Sequence, residues 1–178
     1  MRSILTVGHS THPIADFLNL LAAHGVEQLV DVRTIPKSRR NPQFNSDELA
    51  KALRGQKIKY AHLPGLGGLR HPRKDSINTA WQNASFRGYA DYMQTPEFER
   101  NLRELVGLAA ASRTAIMCAE AVPWRCHRSL LGDALTALGI DVQHIMNKAT
   151  LKPHAYTPFA RIEGQKVTYP GLEELAKG

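Results

Sequence analysis

The sequence predicts a single α/β domain over residues 1–178, with a mostly parallel central sheet flanked by helices and a short hairpin-like C-terminal tail. Two observations predict it. Short apolar runs alternate with amphipathic segments along the chain, and residues 117–131 have the pattern of a buried strand end, a polar turn and a helix start. Such alternation favours parallel strands joined by right-handed crossovers. We place the core at residues 4–146 and a C-terminal extension at residues 151–178.

The first half of the chain contains three predicted strands and two predicted helices. The strands are expected at residues 4–7, 29–32 and 58–63. Pro13 suits a first helical position, an apolar stripe follows it, and Gly25 ends that helix. Ser46 begins a second helix that ends at Gly55. An irregular loop rich in glycine and arginine then covers residues 65–83, and ordered loops of this length are often functional.

The second half of the chain continues the alternation. Strands are expected at residues 114–117 and 140–145, and helices near residues 88–93, from Thr95-Pro96 onward, and from Cys126 to Gly139. In the C-terminal extension, two short polar-apolar runs flank Glu163-Gly164-Gln165. This arrangement predicts a β-hairpin.

The charge distribution indicates an anionic partner. The chain has 23 basic and 16 acidic residues, a net charge of +7. No acidic residue occurs between Asp31 and Asp47, between Glu48 and Asp75, or between Asp141 and Glu163. We therefore expect a phosphate-bearing small molecule or a nucleic acid as partner, against the alternative of a solvated basic surface.

Composition also bounds the cellular context. No apolar run approaches the roughly 20 residues of a membrane span, so no membrane partner is expected. The N-terminal segment lacks the pattern of a signal peptide, and the chain has only two cysteines. These features predict a cytoplasmic protein whose thiols are reduced.

Polar side chains follow each of the predicted strands. The groups in question are His9 and Ser10, Asp31 and Arg33, His62 with Gly67 and Gly68, Cys118 and Glu120, His144, and Arg128 at the start of the helix after the fourth strand. The carboxyl ends of parallel strands meet at one edge of a sheet, which is where ligands bind in open α/β folds. The sequence therefore predicts one polar, basic pocket at this edge.

Residue types suggest roles within the predicted pocket. We assign catalytic roles to Glu120, His9, Asp31 and His62. We assign anion binding to Arg33, Arg128, Ser10, Gly67 and Gly68. Glu120 leaves an apolar strand for the pocket edge, and we expect Arg33 and Arg128 at hydrogen-bonding range to keep it ionised. The alternative is that Glu120 is simply paired with these arginines.

The two cysteines raise a separate possibility. Cys126 precedes His127 and Arg128 near a helix start, a setting that lowers a thiol pKa and suits a nucleophile, with Cys118 as a second candidate. The alternative is a pair of small buried thiols. The cysteines do not match a Cys-x5-Arg phosphate loop, because the arginine position is taken by Gly132 after Cys126 and by Trp124 after Cys118. Zinc-binding spacings are also absent, so we predict no metal and no cofactor.

Five separated motifs resemble those of a known family. They are Val7-Gly8-His9-Ser10; Asp31-Val32-Arg33 with Pro36-Lys37-Ser38-Arg39 and Phe44; Tyr60-Ala61-His62-Leu63-Pro64 with Leu66-Gly67-Gly68; Tyr89-Ala90-Asp91-Tyr92-Met93; and Cys118-Ala119-Glu120 with Cys126-His127-Arg128. In this order, over residues 4–146, they resemble the bacterial family called domain of unknown function 488. The resemblance implies a compact α/β domain and no particular reaction.

Three functional hypotheses follow. The leading one is an enzyme that acts by hydrolysis or transfer on a phosphorylated, nucleotide-like or nucleic-acid substrate, with Glu120 as acid, base or nucleophile. The second is a non-catalytic nucleic-acid-binding module that uses the basic stretches. The third is a thiol-dependent enzyme that uses Cys126.

Overall fold

The computed structural model describes residues 2–177, which form one six-stranded sheet with helices on both faces. The strands are β1 (Ser3–Gly8), β2 (Gln28–Asp31), β3 (Lys59–His62), β4 (Thr114–Cys118), β5 (Asp141–Ile145) and β6 (Leu151–Pro153). Their order is β3-β2-β4-β1-β5-β6. The first five strands in this order are parallel, and β6 is antiparallel to β5.

The helices are α1 (Ile14–Ala23), α2 (Ser46–Gly55), α3 (Ala84–Tyr92), α4 (Pro96–Ala111), α5 (Arg128–Ala137) and α6 (Leu172–Ala176). Alternate strand residues point to opposite faces of the sheet. Leu5 belongs to a core with Phe17 of α1, whereas its neighbour Ile4 belongs to a second core with Leu131 of α5. No helix among the described residues is long and apolar enough to cross a membrane.

The predicted fold class is confirmed. The sheet is mostly parallel and flanked by helices, and the expected C-terminal hairpin is formed by β7 (Arg161–Glu163) and β8 (Lys166–Thr168). Gly164 turns between these strands with a φ of 63°, in the left-handed region that favours glycine. The edge strand β6 was not predicted, because three residues ending in a proline carry no alternating pattern.

The loop before α5 differs from the prediction. The helix begins at Arg128 rather than at Cys126, after a short 3-10 turn at Pro123–Arg125. Cys126 has extended backbone angles, with φ −143° and ψ 162°, which are incompatible with a helical position. Cys126 and His127 therefore belong to the loop that joins β4 to α5. We call residues 119–127 the thiol loop.

Candidate functional site

A cavity of about 810 Å³ lies at the carboxyl ends of the strands. The register of the sheet brings these ends level, because Gly8 of β1 pairs with Cys118 of β4 and Asp31 of β2 pairs with Met117. The loops after these three strands line the cavity, together with the loop that carries Gly68. This is the edge at which the sequence predicted a site.

The structure brings seven of the eleven predicted site residues to the cavity wall. They are His9, Ser10, Arg33, Gly68, Cys118, Glu120 and Cys126. The other four, which are Asp31, His62, Gly67 and Arg128, do not line it. The expectation that Asp31, His62 and Arg128 share the pocket surface is therefore wrong, because each is turned toward partners inside the protein.

Asp31 holds Arg33 in a buried, two-pronged ion pair. Its carboxylate accepts hydrogen bonds from Arg33 Nε (2.9 Å) and Nη2 (2.7 Å), and from the Tyr60 hydroxyl (2.7 Å). Arg33 Nη2 also donates to the carbonyl of Phe44. Burial and the negative charge of Asp31 raise the pKa of Tyr60. Most of the Arg33 donors are thus occupied within the protein, which leaves little of this guanidinium for an anion.

His9 lies flat against Phe44 at the cavity wall, with ring centroids 4.4 Å apart. Its Nδ1–H donates to the carbonyl of Ser10 (2.8 Å), so Nε2 carries the lone pair that faces Arg33 Nη1 at 3.4 Å. Burial lowers the pKa of His9, and the positive charge of Arg33 acts in the same direction. His9 is therefore a neutral imidazole at physiological pH.

The remaining predicted residues have structural contacts. His62 Nε2 donates to the carbonyl of Arg33 at 2.7 Å and orders the chain after β2. Gly67 is packed against Thr34, where a Cβ atom would lie 2.1 Å from the threonine hydroxyl. Ser10 has a φ of 47°, an uncommon value for a non-glycine residue. Neither His62 nor Gly67 is placed to meet a ligand in the cavity.

The two cysteines form a pair at the floor of the cavity. Both are free, and their Sγ atoms lie 2.7 Å apart. Cys126 Sγ also accepts from the backbone N–H of Arg128 (3.2 Å) and lies 3.9 Å from His127 Nδ1. Both thiols are almost fully buried by the protein, and the cavity provides the route to them.

Arg128 is the positively charged group that contacts this pair of thiols. Its side chain is 1% exposed, and within residues 2–177 it has no carboxylate partner. Its three nitrogens donate to Cys118 Sγ (3.0 Å, from Nε), to the carbonyl of Glu120 (2.7 Å, from Nη2) and to the hydroxyl of Thr6 (3.0 Å, from Nη1). A buried guanidinium without a counter-charge is strongly unfavourable. The adjacent sulfurs are the groups that can supply the compensating negative charge.

The pKa values of the two thiols are shifted in opposite directions. Burial and the contact with Cys126 raise the pKa of Cys118 well above its ordinary value. Burial also opposes ionisation of Cys126, but the hydrogen bond from Cys118 and the nearby His127 and Arg128 outweigh it and hold the pKa of Cys126 well below its ordinary value. These shifts favour ionisation of Cys126 over ionisation of Cys118.

Glu120 differs from the prediction. Its side chain is exposed at the cavity wall, and its carboxylate forms no hydrogen bond or ion pair with any residue in the range 2–177. The expected contacts with Arg33 and Arg128 are absent, because Arg33 is held by Asp31 and Arg128 binds only the Glu120 carbonyl. Gly8 permits this approach, since a Cβ atom there would lie 1.6 Å from that carbonyl oxygen.

Three exposed cations at the cavity were not predicted as site residues. They are Lys37, Arg40 and Arg125, none of which forms an ion pair within the described chain. Glu120 is the sole carboxylate among the lining residues. Lys37 and Arg40 lie in the first acid-free stretch of the sequence, so the sequence showed that this segment is basic. It did not predict that these residues lie over the cavity, because the loop after β2 has no regular pattern.

A chain of buried hydrogen bonds runs from the C-terminal extension to Arg128. Asp133 of α5 binds His154 Nε2 (2.8 Å), His154 Nδ1 meets His144 Nε2 (2.9 Å), and His144 Nδ1 meets the hydroxyl of Thr6 (2.6 Å). We call Asp133, His154, His144 and Thr6 the buried polar chain. Of these, only His144 was predicted to lie at a strand end.

Residues 13–135 match the family model described as Domain of unknown function DUF488. The chain belongs to this family. The family expected from the sequence motifs is therefore confirmed. No curated protein and no solved structure matched the chain.

The DUF488 match covers only part of the site. It contains both cysteines, Arg128 and Asp133, and it excludes Thr6 together with the two histidines of the buried polar chain. No group of three or more histidine, cysteine or acidic side chains in residues 2–177 is arranged to hold a metal ion. The residues described here can supply a nucleophilic sulfur, exposed cations for an anion and one carboxylate for proton transfer.

Proposed function

We propose that this DUF488 protein is a thiol-dependent enzyme that acts on a small phosphate-bearing substrate, with Cys126 as the nucleophile. One observation carries the proposal: the fully buried Arg128 has no carboxylate partner among residues 2–177 and donates to the sulfur of Cys118, which contacts Cys126. The positive charge needs a compensating anion, and a shared thiolate provides it. A thiolate that faces a cavity is the reactive form of cysteine.

The cavity lining supports an anionic substrate. Lys37, Arg40 and Arg125 are exposed and form no ion pair with another residue that the structure describes, so their charges are available to a phosphate group. The rim also carries two strongly exposed apolar side chains, Ile35 at 60% and Leu69 at 68%. Cations with apolar side chains suit a molecule that has both a phosphate and an apolar or planar part. The volume of about 810 Å³ is in the range of small-molecule sites.

The chemistry that fits these groups is displacement at phosphorus. The Cys126 sulfur attacks the phosphorus atom, an S–P bond forms, and the P–O bond to the leaving alcohol breaks. Glu120 in its acid form protonates the leaving oxygen. Water then attacks the phosphocysteine, Glu120 accepts a proton from that water, and the P–S bond breaks to release phosphate and regenerate the thiolate. The cations stabilise the charge on the transferring group.

Turnover of phosphate monoesters tests the proposal. The probes are p-nitrophenyl phosphate and the four ribonucleoside 5′-monophosphates, with phosphate release as the readout. We expect Cys126→Ser to abolish release and Glu120→Gln to lower it by 10²-fold or more, on the order of magnitude of general acid–base catalysis. Mass spectrometry of the acid-quenched Glu120→Gln protein should find the phosphoryl group on Cys126.

The control is Ser129→Ala, which changes a hydroxyl next to the thiol loop that donates only to the carbonyl of Cys126. It should keep most of the activity. Full turnover in Cys126→Ser would contradict the proposal. Salt-dependent binding of single-stranded nucleic acid without turnover of any probe would instead support the binding-module hypothesis.

A further inference from the structure

The buried polar chain connects an ionic group on the far side of α5 to the guanidinium beside the thiols. Asp133 is fully buried, the His154 side chain is 4% exposed, and Thr6 is inaccessible to solvent. Asp133 is held in place by the hydroxyl of Tyr169 (2.7 Å), a residue of the C-terminal extension. A buried polar chain of this length is unfavourable unless every member is satisfied.

The hydrogen bonds define the direction of the chain. The Asp133 carboxylate accepts from His154 Nε2–H, and His154 Nδ1 then accepts from His144 Nε2–H. His144 Nδ1 then accepts the hydroxyl proton of Thr6. The reverse direction would leave that hydroxyl proton without an acceptor. Burial, assisted by the positive charges around it, lowers the pKa of His144 to about 3, so this ring stays neutral.

The direction of these hydrogen bonds determines how the Thr6 hydroxyl meets Arg128. Because Thr6 gives its proton to His144, its oxygen faces Arg128 with lone pairs only and accepts from Nη1. The remaining guanidinium nitrogens are directed to the Glu120 carbonyl and to the sulfur of Cys118. The Thr6 hydroxyl and the Glu120 carbonyl together fix the plane of the guanidinium. In this orientation its Nε–H points at the sulfur of Cys118.

We propose that the buried polar chain positions Arg128 against Cys118 and thereby stabilises the negative charge of the thiol pair, which includes Cys126. The chain residues are positioning residues, since none of them touches a sulfur atom. The inference rests on the proposed function in one respect, namely that Cys126 is the reactive thiolate. It adds that residues outside the family match, in β1, β5 and the C-terminal extension, set the reactivity of a site that lies within the match.

The groups that face the thiols are few. Arg128 comes from the start of α5, His127 from the thiol loop and Cys118 from the end of β4. Tyr89 comes from α3, and its ring centre is 5.0 Å from that of His127. The Tyr89 hydroxyl is engaged by the carbonyl of Leu66, and its pKa is raised well above the ordinary value by burial. Arg128 is therefore the charge whose orientation the buried polar chain can change.

The test is the pH dependence of Cys126 alkylation, which needs no substrate. The probe is iodoacetamide, with mass spectrometry to count modified Cys126 between pH 4 and pH 10. In Thr6→Val the isosteric valine removes both hydrogen bonds, and we expect the inflection to move up by about one pH unit, a roughly tenfold slower reaction below it. The limiting rate at high pH should stay the same, since the cavity is unchanged.

Two control variants separate positioning from stability. Thr6→Ser keeps the hydroxyl and should restore the wild-type inflection. Thr114→Val makes the same change at another fully buried threonine of the sheet, whose hydroxyl bonds Gln28 and the carbonyl of Ser112. It should lower the melting temperature and leave the inflection in place. A Thr114→Val shift as large as that of Thr6→Val would overturn the proposal.

His154→Gln is the second test variant, for use if Thr6→Val does not fold. It breaks the chain at the C-terminal extension and should shift the inflection upward, by less than Thr6→Val. An unchanged inflection in every folded chain variant overturns the proposal, whether or not the protein turns over a phosphate ester. A low wild-type inflection that rises in these variants supports it even if no probe is a substrate, so the two proposals fail separately.

Discussion

The Nε atom of Arg128 lies 3.0 Å from the sulfur of Cys118, and no acidic side chain among residues 2–177 pairs with this buried guanidinium. Arg128 thus serves two purposes at once. It links β1 to the thiol loop through its hydrogen bonds to the Thr6 hydroxyl and to the Glu120 carbonyl. It also favours the ionised form of the thiol pair. Stability and reactivity should therefore change together when it is replaced.

Replacing Arg128 with methionine should both destabilise the protein and reduce thiol reactivity. The variant leaves the Glu120 carbonyl and the Thr6 hydroxyl without their donor, which should lower the free energy of unfolding by about 3 kcal/mol. Urea denaturation measures the first effect, and the rate of Cys126 alkylation at pH 7 measures the second. Arg103→Met, in an exposed pair with Glu99 on α4, is the control and should change neither quantity. Retained reactivity in Arg128→Met would refute the electrostatic account of the thiols.

Asp31→Asn should be strongly destabilising, because the buried Arg33 would lose its counter-charge. Removal of one partner from a buried ion pair typically costs about 3–5 kcal/mol. The pair is buried, with side chains 0% and 6% exposed. The matched control is Asp75→Asn, which breaks a similarly spaced but exposed pair with Arg73. Equal urea midpoints for the two variants would show that the Asp31 pair contributes no more than a surface contact.

Stability should fall as the pH is lowered from about 6.5 toward 3. The folded-state pKa of His144 is lowered by burial to about 3, below its ordinary value of 6.5. The unfolded chain therefore binds a proton in this range while the folded protein does not, and stability present above pH 6.5 is lost with falling pH. His9, whose pKa burial also lowers, acts in the same direction. His144→Gln should flatten the dependence of the urea midpoint between pH 7 and pH 5, and the exposed control His71→Gln should not.

The cations at the cavity should determine the affinity for anions. Lys37→Ala, Arg40→Ala and Arg125→Ala combined should weaken the protection of Cys126 from iodoacetamide by adenosine monophosphate, by tenfold or more in concentration. The control triple variant replaces three exposed cations elsewhere, Lys51, Arg103 and Lys148, and removes the same charge. If it loses protection equally, the effect is one of net charge and the cavity has no specific anion site.

The sequence predicted the layers of the fold because local patterns decide them. The apolar run at residues 114–117, and the helix stop at Gly25, depend on neighbours in the chain. The edge of the site was also predictable, since parallel strands bring His9, Cys118 and Glu120 to one side. Helix boundaries were less certain where a 3-10 turn intervenes, as before Arg128.

The roles of individual residues were decided by tertiary structure. Sequence reasoning gave Glu120 the central place because it could not show which arginine contacts which acid. Arg33 lies two residues from Asp31, and that local pair removes it from Glu120. Arg128 is only two residues from Cys126 and ten from Cys118, yet the packing of α5 on the sheet directs its guanidinium to Cys118 and Thr6.

The sequence by itself determined an α/β domain of the DUF488 family and the sheet edge at which its polar residues gather, because chain-local periodicity and strand polarity suffice for both. The tertiary structure alone decided which of these residues face the cavity and which charge is left unpaired. Thr6, His144 and His154 are separated by up to 148 positions, and their hydrogen bonds join only when β1, β5 and the C-terminal extension pack together. Contacts between distant segments depend on burial and packing, which no local pattern records.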